Sequence, residues 1–146
     1  MSILNDNRII ELKEFTSKIH HLDKMLFDHL YATYNILKEE MKKPEYLCMA
    51  GLFHSIYETE YFQFNTSYTR DKVKSLIGET SEKIVYEFCS LKPRINGLVS
   101  RAGNWDNQLY ADLLDLEIAN MKEQQYYNDE IKLIIAIRKH LKTHET

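Results

Sequence analysis

Residues 44–57 read P-E-Y-L-C-M-A-G-L-F-H-S-I-Y, and no other stretch constrains the fold as tightly. Leu47, Met49, Ala50, Leu52, Phe53, Ile56 and Tyr57 cover most of the circumference of a helix. A helix that is apolar on nearly every side lies inside other elements rather than on a surface. Pro44 suits the start of such a helix, where its missing N–H costs no intrahelical bond, and Glu45 in the first turn favours the positive end of the helix dipole. The stretch therefore predicts a central helix running from Pro44 to about Tyr57.

Its neighbours must be helices as well, because four glycines and two prolines in 146 residues are too few for a turn-rich all-β fold. Apolar residues at helical spacing predict helices over Asn7–Ile19, Lys24–Met41, Arg70–Ile77, Trp105–Met121 and Asn128–Leu141. Thr69 caps the third of these and Gly78 stops it, and Thr80 or Ser81 then caps a helix through S-E-K-I-V-Y-E-F-C. Leu91–Asn104, with Pro93 and two glycines, reads as a connection holding one helical turn. The expectation is an all-α fold, a single domain over residues 1–146 with about seven helices. The irregular piece Glu58–Tyr68 carries four aromatics and two acids. It reads either as a lid or binding loop or as a set of aromatics plugging the core. The tail K-H-L-K-T-H-E-T, with His140 and His144, is expected to fray.

Composition removes several function classes. A formal charge of −3, with both signs scattered along the chain, provides no basic footprint for nucleic acid. No apolar run approaches the ~18 residues of a membrane span, and the N-terminus lacks the pattern of a signal peptide. Cys48 and Cys89 sit in apolar helical patterns with no CxxC, so they read as free buried thiols of a reducing compartment, and a soluble cytoplasmic protein is expected. The signatures HExxH, GxSxG and the P-loop are absent, so no common hydrolase or nucleotide motif is present.

What remains for chemistry is a set of histidines. His54, among Leu52, Phe53 and Ile56, is expected in a buried place, where an imidazole needs a hydrogen-bond partner or a metal. His29 lies between Phe27 and Leu30 on the preceding helix, and antiparallel packing of two helices joined by a short turn sets it facing His54. His21 offers a third nitrogen or an exposed ring. On the helix after Trp105, Leu109, Leu113 and Leu116 define a buried stripe that Asn120 continues, with Glu117 on its edge as a carboxylate ligand. Asp112 and Asp115 fall on the opposite, solvated side. Three imidazoles and a carboxylate suit zinc, iron or manganese, with an open position for water or oxygen. Tyr57 is expected to offer its hydroxyl to the same pocket, and Arg70 or Arg94 supplies a bidentate cation for a substrate anion or, equally, a surface ion pair.

Four motifs carry a resemblance. H-x-x-x-x-L-x-D-H-L-x-x-T from His21, A-G-L-F-H-S-I-Y from Ala50, R-x-x-V-x-x-L-I-G from Arg70 and E-I-A-N from Glu117 resemble an uncharacterised bacterial family related to metal-binding HD domains. The resemblance implies an HD-like helical bundle with His29 and His54 where that superfamily binds metal. It also implies phosphohydrolase or oxygenase chemistry. Ser55 stands where the HD motif has its aspartate, and Glu58 stands where the closer family has glycine. Two readings follow. One is an HD-like enzyme acting on a small molecule, with His21, His29, His54 and Glu117 around a divalent metal and Arg70, Arg94 and Asn120 toward substrate. The other is a metal-free module that binds a small molecule or a partner on a degenerate HD scaffold. A homodimer through the last helix is a third, purely structural role.

Overall fold

A computed structural model describes residues 3–21, 24–59 and 66–142. Among the described residues the fold is all-α, with eight α-helices and one two-residue strand pair. A single 3₁₀ turn, Ile3–Asn5, precedes α1 (Asn7–Thr16). Asp6 caps α1 by accepting from the Arg8 backbone N–H, so the chain enters the helix with its first donors satisfied. β1 (His20–His21) pairs antiparallel with β2 (Lys24–Met25), His21 opposite Lys24. The strand pair turns the chain back into α2 (Leu26–Asn35), which runs on as one π-helical turn, Ile36–Glu40. The sequence pattern predicted one uninterrupted helix over Lys24–Met41. Its first two residues instead join the ladder.

The apolar helix is α3, Glu45–Leu52. It packs against α2, α5 (Glu79–Ser90) and α7 (Asn107–Glu123), and every residue from Leu47 to Leu52 is buried. It ends one turn earlier than its apolar pattern suggests, at Leu52, because the chain bends after Phe53. His54, Ser55 and Ile56 are nevertheless buried. The apolar run continues into a turn, since burial rather than helicity was what the pattern encoded.

α4 (Arg70–Ile77) starts at Thr69, whose hydroxyl accepts from the Lys72 N–H, and stops at Gly78, which takes the positive φ of 90° that favours glycine. α5 begins directly at Glu79 rather than after a Thr80 or Ser81 cap. The Ser81 hydroxyl is used elsewhere, donating to the Tyr46 carbonyl of α3 at 2.7 Å. Residues 94–100 form α6 (Arg94–Ser100), nearly two turns where Pro93 and the two glycines read as a connection holding one. Gly97 is there for contact: a Cβ on it would meet Leu91 Cδ2 at 2.8 Å. Asp106 caps α7 and Asn128 caps α8 (Asp129–His140), each through its side-chain oxygen.

The core runs through all layers, from Ile9 and Leu12 on α1 to Ile131 and Ile134 on α8. α7 is its axis, touching α2, α3, α5, α6 and α8. Tyr110–Asn120 is buried without a break, so the placement of Asp112 and Asp115 on a solvated face is corrected. Asp112 accepts from the Tyr46 hydroxyl at 3.0 Å, and Asp115 pairs with Lys43 at 3.2 Å and Arg138 at 3.0 Å. Both carboxylates bridge α7 to its neighbours instead of meeting water. No described helix is long and apolar enough to cross a membrane, and Cys48 and Cys89 are free buried thiols.

Candidate functional site

The bend after α3 fixes one imidazole. His54 is buried to 1% exposure, and its Nδ1 lies 2.7 Å from the Gly51 carbonyl. A carbonyl only accepts, so Nδ1 carries the proton and donates it. The ring meets Phe88 edge-on at 5.6 Å, and the Cys89 thiol donates to the His54 carbonyl at 3.0 Å. Backbone and ring are thus both held. Burial, reinforced by the neighbouring His29, pushes the His54 imidazole well below the usual histidine range. It is neutral, and its Nε2 is a lone pair.

His29 comes from the buried face of α2, with Leu26, Leu30 and Thr33. Its Nε2 sits 3.0 Å from the Nε2 of His54, and its Nδ1 bonds the Glu123 carboxylate near the end of α7. Glu123 also pairs with Lys24. Burial alone would raise this carboxyl, but the bonds from His29 and Lys24 outweigh it and hold Glu123 below the usual glutamate range. An ionised Glu123 makes the His29 Nδ1 a donor. Both outer nitrogens are then donors to fixed acceptors, and both inner nitrogens point at each other. Two lone pairs at that distance repel unless a proton stands between them, as in an N–H···N bond.

His21 reaches the same place through β1. Its ring stacks on His29 with centroids 4.2 Å apart and planes 12° from parallel, and it is buried rather than exposed. Burial, then the charge of His29, brings its imidazole down to about 4. Above the three histidines opens a cavity of about 420 Å³ whose wall includes Ser55, Arg94, Glu117 and Asn120. Arg94 lies over the Phe88 ring at 4.3 Å and contacts Glu117 at 3.3 Å. Burial holds the Glu117 carboxyl above the usual glutamate range, outweighing the downward pull of Arg94 and of the Asn120 amide 3.0 Å away.

Of the residues expected in the site, His21, His29, His54, Glu117, Arg94 and Asn120 meet around this one cavity. Two do not, and they are corrected here. The Tyr57 hydroxyl donates to Glu82 at 2.8 Å, and Arg70 grips the same carboxylate through Nε and Nη2 at 2.8 and 2.9 Å. Glu82 is fully buried on α5 and draws both away from the histidines. Glu117 is engaged by Arg94 and Asn120, so its bonds go to them rather than to a metal ion. Among the described residues no group of three or more His, Cys, Asp and Glu side chains is arranged to hold a metal ion.

The carboxylate that does serve the histidines, Glu123, went unread in the sequence. A signal was present: Glu123 follows Asn120 by three residues and prolongs the same helical stripe. The lid or binding loop read over Glu58–Tyr68 falls largely on residues 60–65, outside the described residues, as do its aromatics Tyr61, Phe62 and Phe64 and the tail's His144.

A family model described as Domain of unknown function (DUF6817) matches residues 12–93, more than half of the chain. The matched span holds His21, His29, His54 and Ser55 and stops before α6 and α7, which complete the cavity. No curated protein and no solved structure matches.

Proposed function

The chain belongs to the family described as Domain of unknown function (DUF6817), and for this member we propose an HD-like enzyme that acts on a small molecule, with a divalent metal ion held by His29 and His54. One observation carries the reading: two buried imidazoles, each anchored through Nδ1–H, with their Nε2 atoms 3.0 Å apart. Metal-binding histidines are commonly oriented by such an outer hydrogen bond to a carboxylate or a backbone carbonyl. With metal–nitrogen bonds of about 2.0–2.1 Å, adjacent ligands on one ion lie roughly 2.9–3.4 Å apart, so the residues fit as two ligands of an open site. Zinc, iron or manganese would suit them, and the bound ion would supply Lewis acidity and an activated water.

The chain's own residues do the rest. Glu123 fixes the tautomer of His29, and the Gly51 carbonyl fixes that of His54. Ser55, at the position where the resemblance has the HD aspartate, lines the cavity, and a serine hydroxyl is a weak ligand. A single ion therefore suits the site better than a bridged pair. Arg94 and Asn120 lie on the wall where substrate is positioned. Without a metal the same line of groups still forms a pocket, and the absence of a third ligand among the described residues favours a metal-free binding module as the second reading.

Elemental analysis of the protein purified without added metal or chelator separates them. Near-stoichiometric zinc, iron or manganese is expected in the wild type and should disappear in both His29→Ala and His54→Ala. Protein that stays metal-free after reconstitution would leave the second reading standing. Stability alone does not decide, because removing a buried histidine costs folding energy in either case.

A further inference from the structure

We propose that the cavity above the histidine pair takes an uncharged, polyhydroxylated ring of sugar type, and not a phosphate ester. The inference rests on this cavity being the substrate site of the proposed enzyme. Its first support is charge. Arg94 is the cation of the wall, and Glu117 faces it at 3.3 Å. Arg94 spends one N–H on Glu117 and packs over the Phe88 ring, so part of its donor set is already engaged before a ligand arrives. The second cation that a phosphate could use, Arg70, is held bidentate by Glu82 outside the cavity. Among the described side chains of the wall, the metal of the proposed site apart, a phosphate ester would find one guanidinium, already bonded to Glu117.

The second support is the nature of the remaining polar groups. Asn120 gives one N–H to Glu117 at 3.0 Å and accepts from Gln124 at 3.4 Å. Each amide has further donor and acceptor capacity, which suits hydroxyl groups that both donate and accept. Glu130 stands at the mouth of the same cavity. A carboxylate there accepts from a hydroxyl and repels a phosphate.

The third is an aromatic face. Tyr126 lines the cavity while remaining 51% exposed. A half-exposed ring at the mouth provides a flat apolar surface for the C–H face of a sugar while its hydroxyl stays in water. The volume, about 420 Å³, lies within the range of small-molecule sites and is large enough to bury most of one such ring.

The test is calorimetric titration of the full-length protein with pentoses, hexoses and disaccharides, each beside its phosphate ester, and with inorganic phosphate. At least one neutral sugar should bind saturably, with its phosphate ester about tenfold weaker or more, a gap of roughly 1.4 kcal/mol. Tyr126→Ala, at a half-exposed position that leaves the core intact, should weaken the sugar about tenfold. Glu130→Lys should narrow the gap between sugar and ester. Tighter binding of the esters or of inorganic phosphate, or no binding by any neutral member, would overturn the inference. Metal content measured on the same samples keeps the two ideas apart. Metal held by a protein that prefers esters sinks only the substrate class, whereas sugar binding by a metal-free protein sinks only the metal.

Discussion

Glu58 takes a left-handed backbone, φ 72°, four residues past His54 in the bend that follows α3. Only glycine adopts that conformation without cost, and for other residues the cost is about 1–2 kcal/mol. The glycine expected at this position from the resemblance therefore has a physical reason, and this chain carries the strain instead. Glu58→Gly should raise the urea midpoint by an amount worth about 0.5–1 kcal/mol, since part of the relief is lost to the freer unfolded chain. A lower midpoint would show that the Glu58 side chain compensates. His29 and His54 were legible as a facing pair because each sits in an apolar stretch of one of two consecutive antiparallel helices. For Glu123 the helical stripe past Asn120 marks only a buried face, and its bond to His29 depends on a crossing of α2 and α7 that no local pattern encodes. Tyr57 was misassigned for a related reason: spacing places a residue on a face but does not say which partner across that face wins its hydroxyl.

At the scale of elements, α4 and α5 are joined by the buried Glu82 carboxylate, which accepts from Tyr57 and binds Arg70, itself lying over Tyr86 at 3.6 Å. Burial alone would raise the Glu82 carboxyl. The bonds from Arg70 and Tyr57 outweigh burial and hold it below its ordinary value of 4.5. The unfolded chain then binds a proton more readily than the folded one, so stability rises with pH across this window. The contribution is complete above the ordinary glutamate value and is lost as pH falls through the folded one. Glu82→Gln should cost on the order of 1–3 kcal/mol at neutral pH, and its deficit against the wild type should shrink in urea melts taken progressively below about pH 4.5. A deficit that does not change with pH would show that packing, not charge, sets the role of Glu82. α6 teaches the converse lesson about reading elements. Its two-turn helix looked like a connection because Gly97 reads as a breaker, yet that glycine lets the helix approach Leu91, and Tyr110 of α7 secures it by donating to the Leu98 carbonyl at 2.6 Å.

For the molecule as a whole, α7 is the axis on which the other helices are hung, and Asp115 is where two of its connections meet. Lys43 from the turn before α3 and Arg138 from α8 both pair with it, with side chains 14% and 17% exposed. Removing the shared anion strands two nearly buried cations, so Asp115→Ala should cost roughly 3 kcal/mol, at the low end for a buried pair because both cations keep some contact with water. Exchanging Asp115, Lys43 and Arg138 together for apolar residues of similar size should recover most of that loss in chemical denaturation. Failure to recover would show that the triad fixes the docking of α8 and does more than balance charge. The sequence by itself determined the helical class, the central place of Leu47–Leu52 and the burial of His29 and His54, because apolar periodicity is a local property that each segment displays alone. Only the tertiary structure decided that α7 is buried on all sides over Tyr110–Asn120, that Arg70 and Tyr57 belong to Glu82, that Glu123 anchors His29 and that Arg94 lines the cavity. Those outcomes are competitions among polar groups far apart in the chain, and a polar group is assigned to whichever partner the packing brings within hydrogen-bond reach.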